Sequence, residues 1–348
     1  MPANKRIAVW MSEKKLQKIN WNELVAVCSK HGFEVFKLDL NRRLEEQGPF
    51  CVLLHKLTDI IASASQGDIR STEIINDVEA YLAENPSIMV LDPIPNVRRL
   101  LDRYVCYSMI HQTNLHSYGV FTPNFCVLRN EDLDVIKAEL RKSLVTYPFI
   151  CKPILGHGSR QAHEMSIIFD EKYLVDCKTP CVAQSFINHD AILYKIFIVG
   201  ERHCYVERPS LKNFQAGQRE SIHFDTSDVS KADSKSRLSV LDPDDVVNEH
   251  RWEPDPKVMD VIANTLRKCF GMDLLGVDVV IEKTSGRYAI IDVNAYPDSL
   301  YETPHRFKTC GDVNKNFLPT TDNRTSYDGF SNFFEALLEC ISKTVTSD

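Results

Sequence analysis

Two aspartates and an asparagine near the end of the chain have the types and spacing of a divalent-cation site. Asp278 lies in the apolar run GVDVVIE, and Asp292 and Asn294 lie in the next run, YAIIDVN. The KTSGR stretch between the runs predicts a β-hairpin. If the hairpin closes symmetrically about Ser285, Asp278 lies directly opposite Asp292, with Asn294 on the same face. Opposed carboxylates repel each other unless a cation lies between them, and such oxygen donors suit Mg²⁺ or Mn²⁺.

The same hairpin pattern also fits carboxylates that are solvated or paired with lysines. Two lysines bear on this choice, Lys195 in ILYKIFIV and Lys152 after PFIC. Each carries a charge that is costly to bury without an anion, and a nucleotide phosphate would supply one. A single lysine of this kind is more often ion-paired or extends its ammonium to water. Because both accompany a possible metal hairpin, we predict that they contact phosphate.

A glycine-containing turn separates these two lysines along the chain. In LGHGSRQAHEM, Gly156 and Gly158 flank His157, and His163 begins the next strand. The glycines would let the backbone approach a ligand closely, and the imidazoles suit contact with an oxyanion, although most such motifs are ordinary turns. The phosphate-binding pattern GxxxxGK[ST] is absent from the sequence.

Two further lysines follow predicted strands in the first part of the chain. Lys15 comes after the strand RIAVWM, and Lys56 directly follows CVLLH. Ligands of open α/β sheets bind beyond the carboxyl ends of the strands, so both ammonium groups could reach one phosphate pocket. The alternative is that both are solvated surface lysines.

The elements that must position these residues change character along the chain. Alternating strand and helix patterns up to about residue 112, including one helix over 96–113, predict a parallel sheet covered by helices. Residues 148–222 read as short strands of an antiparallel sheet. The polar stretch 225–256 predicts a loop or lid. Helices are predicted near 256–269 and 329–344, on either side of the metal hairpin and a polar stretch, 298–326.

Composition limits the function classes. Of 348 residues, 43% are hydrophobic and 26% are charged, which is typical of a globular protein. A net charge of −7 argues against nucleic-acid binding. The eleven cysteines show no metal or redox spacing and are read as reduced thiols. No apolar run is long enough for a membrane span and the start lacks a signal peptide, so we expect a cytoplasmic protein.

Together these motifs resemble the ATP-grasp fold and, more narrowly, the inositol 1,3,4-trisphosphate 5/6-kinases, also called inositol-tetrakisphosphate 1-kinases. The matching stretches are SEKK, HKLTD, VLDPIPNVRRLLDR, FICKP, the HG turn with HEM, QSFINHDAILYKIFIVG, RPSLKNF, GVDVVIE, IIDVNAYP and YDGFSNFF. The resemblance implies an α/β (α+β) fold in which a parallel α/β lobe (1–112) precedes two lobes with antiparallel sheets (113–186 and 187–348) that hold ATP between them.

The resemblance also assigns roles to residues. The ATP contacts it implies are Arg103, Lys152, Gln184, Phe186, Ile187, Lys195, Ser210, Thr226 and Ser230. The contacts to inositol phosphate it implies are Lys15, Lys56, His157, His163, Lys195, Lys212 and Asn294. Asp278 would hold one Mg²⁺, Asp292 both and Asn294 the second, in agreement with the hairpin pattern. Lys152, Lys195 and His157 are the expected catalytic residues.

The implied function is an ATP- and Mg²⁺-dependent kinase. By resemblance, it would phosphorylate inositol 1,3,4-trisphosphate at position 5 or 6 and inositol 3,4,5,6-tetrakisphosphate at position 1. We expect the protein to be a monomer. The alternative is a carboxylate–amine ligase of the glutathione-synthetase kind. The sequence departs from the family pattern in three places: a longer turn before His163, Asp298 where glycine is usual, and an apparent insertion at 298–326.

Overall fold

The computed structural model describes residues 5–17, 19–156, 160–229, 234, 236–246, 251–296, 307–308 and 328–345. The strands are β1 (Arg6–Trp10), β2 (Glu34–Lys37), β3 (Val52–His55), β4 (Met89–Leu91), β5 (Val120–Phe121), β6 (Phe125–Leu128), β7 (Phe149–Pro153), β8 (Glu164–Ile168), β9 (Cys181–Ser185), β10 (Ile192–Val199), β11 (Arg202–Pro209), β12 (Ile222–Asp225), β13 (Leu274–Ile281), β14 (Tyr288–Ala295) and β15 (Phe307–Lys308). The α-helices are α1 (Glu13–Leu16), α2 (Trp21–Lys30), α3 (Thr58–Ser65), α4 (Ile69–Glu84), α5 (Ile94–Leu101), α6 (Arg103–His111), α7 (Leu133–Lys142), α8 (Thr226–Val229), α9 (Pro243–Val246), α10 (Pro256–Phe270) and α11 (Asp328–Val345).

The first lobe contains the predicted parallel sheet, in the order β2-β1-β3-β4. All four residues of β3 are buried, as expected for a strand covered on both faces. Trp10 pairs with His55, so β1 and β3 end side by side. The chain segments that carry Lys15 and Lys56 therefore leave the sheet at the same edge.

A single helix predicted over 96–113 is instead two helices, α5 and α6. Asp102 between them has an extended backbone, with φ −86° and ψ 110°, and its carboxylate accepts a hydrogen bond from Val105 N at 3.0 Å. An aspartate in this role caps the start of a new helix. The break directs Arg103 N toward Ile154 O, to which it donates at 2.9 Å.

The two antiparallel regions form separate sheets. One is five-stranded, in the order β12-β8-β7-β9-β6, and the other is six-stranded, in the order β15-β11-β10-β13-β14-β5. β5 runs parallel to β14 in the second sheet, although the predicted lobe boundary assigned its residues to the central lobe. Residues Leu100 of α5, Ile262 of α10 and Val277 of β13 belong to one buried cluster, so the first lobe and the six-stranded sheet share a core.

The stretch 225–256, predicted to be a loop, contains short helices that are anchored to the rest of the fold. The Asp245 carboxylate on α9 accepts from Lys283 Nζ at 3.0 Å and from Asn213 Nδ2 at 2.9 Å. Trp252 donates its indole N–H to Lys283 O at 3.0 Å. These contacts attach the segment to the turn of the β13–β14 hairpin.

The predicted insertion 298–326 lies outside the described residues, except for 307–308, which form β15 and pair with β11. In the parts of the chain that the structure describes, no helix combines the length and the apolar character needed to cross a membrane.

Candidate active site

The β13–β14 hairpin pairs Asp278 directly with Asp292, as predicted. The predicted reason is wrong, because the hairpin does not close symmetrically about Ser285. Near the turn the register is shifted by one residue, with Val279 opposite Ile290. A β-bulge that leaves Ile291 without a direct partner on β13 restores the predicted register at the aspartates. The bulge is therefore what brings the two carboxylates together.

Lys195 on β10 lies opposite Asp278 on the other side of β13. Its Nζ atom is 3.2 Å from Asp278 Oδ1, and the two side chains are only 19% and 16% exposed. Burial raises the pKa of Asp278 and the nearby charge of Asp292 adds to this, whereas Lys195 opposes it. The lysine and the carboxylate, which the sequence offered as separate signals, form one ion pair.

Lys152 on β7 is buried, and its ammonium donates to three acceptors in this structure. It donates to Gln184 Oε1 at 2.7 Å, to Ile291 O at 2.7 Å and to the Tyr107 hydroxyl at 3.1 Å. Burial lowers the pKa of Lys152 from 10.5 to about 8, while the charge of Asp292 opposes this. A phosphate that binds Lys152 would replace at least one of these neutral partners.

Arg103, at the first position of α6, is buried beside Asp292. Its Nε atom is 3.7 Å from Asp292 Oδ1. One Nη atom donates to Pro153 O at 2.7 Å and the other to Ala162 O at 3.4 Å. The guanidinium thus links the Asp292 carboxylate to the segment after β7, where the glycine-containing turn begins.

The predicted nucleotide hinge, Phe186 and Ile187, directly follows β9, which contains Gln184. His189, which was not predicted as a site residue, and Ser210, which was predicted only as a nucleotide contact, hold the hinge in place. His189 contacts Ile187 O through Nδ1 at 2.5 Å and Ser210 Oγ through Nε2 at 2.7 Å. Burial lowers the pKa of His189 to about 4, so the ring is neutral. A carbonyl can only accept, so Nδ1 carries the proton and Ser210 donates to Nε2.

His189 could have been noticed in the sequence, since it lies in the matched stretch QSFINHDAILYK. Phe186 packs against it, with ring centroids 5.6 Å apart, and against Phe214 at 5.4 Å. This aromatic packing and the His189 hydrogen bonds give the hinge a fixed backbone. The carbonyl of Ile187, a residue that the resemblance implies as an ATP contact, already has His189 as a donor.

Two residues assigned to different ligands contact each other. His163 Nδ1 is 3.2 Å from the hydroxyl of Thr226, which starts α8. His163 is exposed, so its ring is available to a ligand from the solvent side. His157 and Ser230, both predicted site residues, lie outside the described residues.

One of the two first-lobe lysines, Lys56, lies next to the end of the C-terminal hairpin. Lys56 is buried at 6% exposure, and its Nζ lies 5.7 Å from the centroid of the Tyr296 ring, two residues after Asn294. Lys15 lies on α1, at the adjacent strand end, and is half-buried. The structure thus brings Lys56 next to the chain segment that carries Asn294.

Lys212 is held by Asp242, a carboxylate in the stretch 225–256. Its Nζ donates to both oxygens of Asp242, at 2.6 and 2.8 Å. The lysine side chain is 14% exposed and the aspartate 56%. A substrate phosphate at Lys212 would therefore compete with Asp242.

The residues of the hairpin fit a magnesium site. Asp278 Oδ1 is buried without a well-directed hydrogen bond, although Lys195 is close, and Asp292 and Asn294 add two more oxygen ligands on the same face. Among the described residues no group of three or more His, Cys, Asp or Glu side chains is arranged to hold a metal. A site with two carboxylates and an amide leaves positions for water and nucleotide phosphates, which is usual for Mg²⁺.

The fold belongs to the ATP-grasp class. It is similar to the D-cycloserine synthetase DcsG, with a TM-score of 0.58 and 14% identity over 96% of this chain and 99% of that one. It is also similar to a RiPP-associated ATP-grasp ligase of Chryseobacterium gregarium, with a TM-score of 0.53 and 12% identity over 98% and 97% of the two chains. At this identity the likeness defines the fold alone.

The sequence matches define the family. Residues 6–97 match the pre-ATP-grasp domain, and residues 115–310 the ATP-grasp domain, of inositol 1,3,4-trisphosphate 5/6-kinase. Inositol-tetrakisphosphate 1-kinases of Danio rerio and Xenopus laevis are each 42% identical, over 84% of this chain and 74% of theirs. The chain belongs to the inositol 1,3,4-trisphosphate 5/6-kinase family, as its motifs predicted.

Proposed function

We propose that this chain transfers the γ-phosphoryl group of ATP to a hydroxyl of an inositol polyphosphate, as the family to which it belongs implies. The specific reactions we propose are phosphorylation of inositol 1,3,4-trisphosphate at position 5 or 6 and of inositol 3,4,5,6-tetrakisphosphate at position 1. The observation that carries the proposal is the convergence of Lys152, Arg103 and Lys195 on the opposed carboxylates Asp278 and Asp292.

This convergence suits phosphoryl transfer, in which positioning and charge stabilisation supply most of the catalysis. We assign Asp278, Asp292 and Asn294 to two Mg²⁺ ions. When bound, these would offset the charge of the β- and γ-phosphates. Lys152 and Lys195 would bind phosphate oxygens and stabilise the negative charge of the transferring group.

The remaining assignments concern the two ends of the nucleotide and the acceptor. We propose that adenine binds at the hinge of Phe186 and Ile187, beside Gln184. Ser210, Thr226 and Ser230 would be further nucleotide contacts. The ring phosphates of the acceptor would bind Lys15 and Lys56 of the first lobe, His157 in the glycine-containing turn, His163 directly before β8, and Lys212, which follows β11. Lys56 supports this division because it adjoins the end of the metal hairpin.

The proposal is tested with the purified full-length chain, ATP, Mg²⁺ and a panel of inositol tris- and tetrakisphosphates. We expect ADP formation that depends on the acceptor, and products phosphorylated at the positions stated above, assigned by NMR. If none of the acceptors supported ADP formation, the proposed kinase activity would be contradicted. Phosphorylation of other hydroxyls would contradict only the proposed positions of phosphorylation and not the kinase activity.

A carboxylate–amine ligase is the alternative with the same fold. The two solved structures described above share 14% and 12% identity with this chain, whereas the Danio rerio and Xenopus laevis kinases share 42%. The family therefore favours a hydroxyl acceptor. Turnover that needed both a carboxylate and an amine would reverse this choice. A cytoplasmic location, a monomeric state and the three-lobe division remain predictions.

A further inference from the structure

Tyr107 lies one helical turn after Arg103 on α6 and is completely buried. Its hydroxyl is 2.9 Å from Ile291 O and 3.1 Å from Lys152 Nζ. A carbonyl can only accept and an ammonium can only donate. The tyrosine therefore donates its proton to Ile291 O and accepts from Lys152. Lys152 also donates to Ile291 O at 2.7 Å, so the three groups form a closed triangle.

The carbonyl in this triangle belongs to the bulge residue of the metal hairpin. Ile291 has no direct partner on β13, and it immediately precedes Asp292. Two donors, one of them charged, fix the orientation of the peptide group that leads into Asp292. The position of the Asp292 carboxylate thus depends on contacts from α6 and β7 as well as on its own sheet.

The hydroxyl, more than the ring, supplies this link. The ring of Tyr107 packs edge to face against Phe125, with centroids 5.5 Å apart. Phenylalanine at position 107 would keep that packing. Burial holds the pKa of Tyr107 well above its usual value, so the hydroxyl stays a neutral donor.

We propose that Tyr107 is a positioning residue, whose hydroxyl holds the phosphate-binding ammonium of Lys152 and the peptide group before Asp292 in a fixed relation to each other. Through it the five-stranded sheet that carries Lys152 and the six-stranded sheet that carries the metal hairpin are aligned for transfer. The inference rests on the proposed function. It adds to that function a residue with no charge and no expected contact with substrate.

The test compares Tyr107→Phe with Tyr104→Phe in the full-length chain. Tyr104 lies on the same helix, also packs against Phe125, and is 42% exposed. Two properties are measured: steady-state kinetics with varied Mg²⁺, and Mn²⁺ binding in the presence of a non-hydrolysable ATP analogue. The amount of bound Mn²⁺ is divided by the number of nucleotide sites, so that unfolded protein does not affect the comparison.

For Tyr107→Phe we expect kcat to fall roughly tenfold or more, and Mn²⁺ to bind more weakly by a similar factor, since residues that orient metal ligands commonly have effects of this size. KM for the inositol phosphate should change little. Tyr104→Phe should match the wild type in kcat, in KM and in Mn²⁺ affinity.

Two results would overturn the inference. In one, Tyr107→Phe has the kcat and the Mn²⁺ affinity of the wild type. In the other, its activity falls only in proportion to the number of nucleotide sites, so that the activity per site is unchanged. A wild-type chain that binds Mn²⁺ and nucleotide but phosphorylates no inositol phosphate would contradict the proposed function instead. In that case the Mn²⁺ comparison alone decides whether Tyr107 positions Asp292.

Discussion

Lys195 and Asp278 lie directly opposite each other on β10 and β13, with Nζ 3.2 Å from Oδ1. One residue is a proposed phosphate ligand and the other a proposed metal ligand, yet here each is the other's partner. Burial raises the pKa of Asp278, and Lys195 counteracts the rise. The ammonium thus favours the charged form of a carboxylate at a position where a divalent cation would need it.

Replacing Lys195 by Met should destabilise the protein, because it leaves Asp278 without its cation. Removal of one partner of a buried pair costs about 3 kcal/mol or more. The double variant Lys195→Met/Asp278→Asn should recover most of that loss, since an amide needs no counter-charge. Neither variant should transfer phosphate. Denaturant unfolding measures the free energies, and a double variant as unstable as the single one would contradict the pairing.

Asp292→Asn should lower phosphoryl transfer by at least about a hundredfold, because it removes the charge shared between Arg103 and the proposed metals. The isosteric change keeps the size of the side chain, so circular dichroism should match the wild type. Asp134→Asn, at a carboxylate that is 96% exposed, is the control and should be fully active. Near-normal turnover by Asp292→Asn would refute the metal assignment.

His189 should make stability depend on pH. Its pKa is lowered from 6.5 to about 4 by burial, so the folded state favours the neutral ring. The resulting stability is complete above pH 6.5 and is lost as the pH falls toward 4, by up to about 3 kcal/mol.

Urea unfolding at several pH values checks this. His189→Gln should show a smaller loss of unfolding free energy between pH 6.5 and 4 than the wild type. Exposed His116→Gln should keep the wild-type dependence. His55, also buried with a pKa lowered to about 4, contributes in the same direction in all three proteins, so the comparison isolates His189. If the unfolding free energy of His189→Gln depended on pH as that of the wild type does, His189 would not be the source of the pH dependence.

Asp242→Asn should lower KM for the inositol phosphate if Lys212 binds it, because the carboxylate no longer competes for the ammonium. An ion pair with one exposed partner is worth up to about 1 kcal/mol, so the change should be about two- to fivefold. Asp244→Asn, nearby on α9, should leave KM unchanged. A raised or unchanged KM in Asp242→Asn would show that Asp242 does not compete with substrate.

Gly286→Ala should destabilise the hairpin turn through a contact with Trp252. A Cβ atom at this position, where φ is +70°, would lie 2.9 Å from Trp252 Cδ2. Gly32 has a similar φ of +78° and open space around it, so Gly32→Ala measures the backbone cost alone. We expect Gly286→Ala to be less stable than Gly32→Ala by at least about 1 kcal/mol in thermal or urea unfolding. Equal losses would mean that Trp252 moves away freely.

Much of the site could be predicted because its signals are local. The alternating runs around Asp278 and Asp292 predict a hairpin, and lone lysines in apolar strands predict buried cations that need partners. The helix break at Asp102 was missed, although an aspartate is a common cap, because the apolar pattern continues across it. The anchored parts of 225–256 were missed because their polar residues bind elsewhere in the fold.

The sequence by itself determined the family and placed Asp278, Asp292 and Asn294 in one hairpin, since both depend on residue types and on spacing within short segments. Only the tertiary structure decided that a bulge at Ile291 pairs Asp278 with Asp292, that Lys195 forms an ion pair with Asp278, and that Tyr107 joins Lys152 to β14. Such contacts link residues up to 184 positions apart. Their energies depend on distances and burial that are set when separate sheets and helices pack, and no local pattern records them.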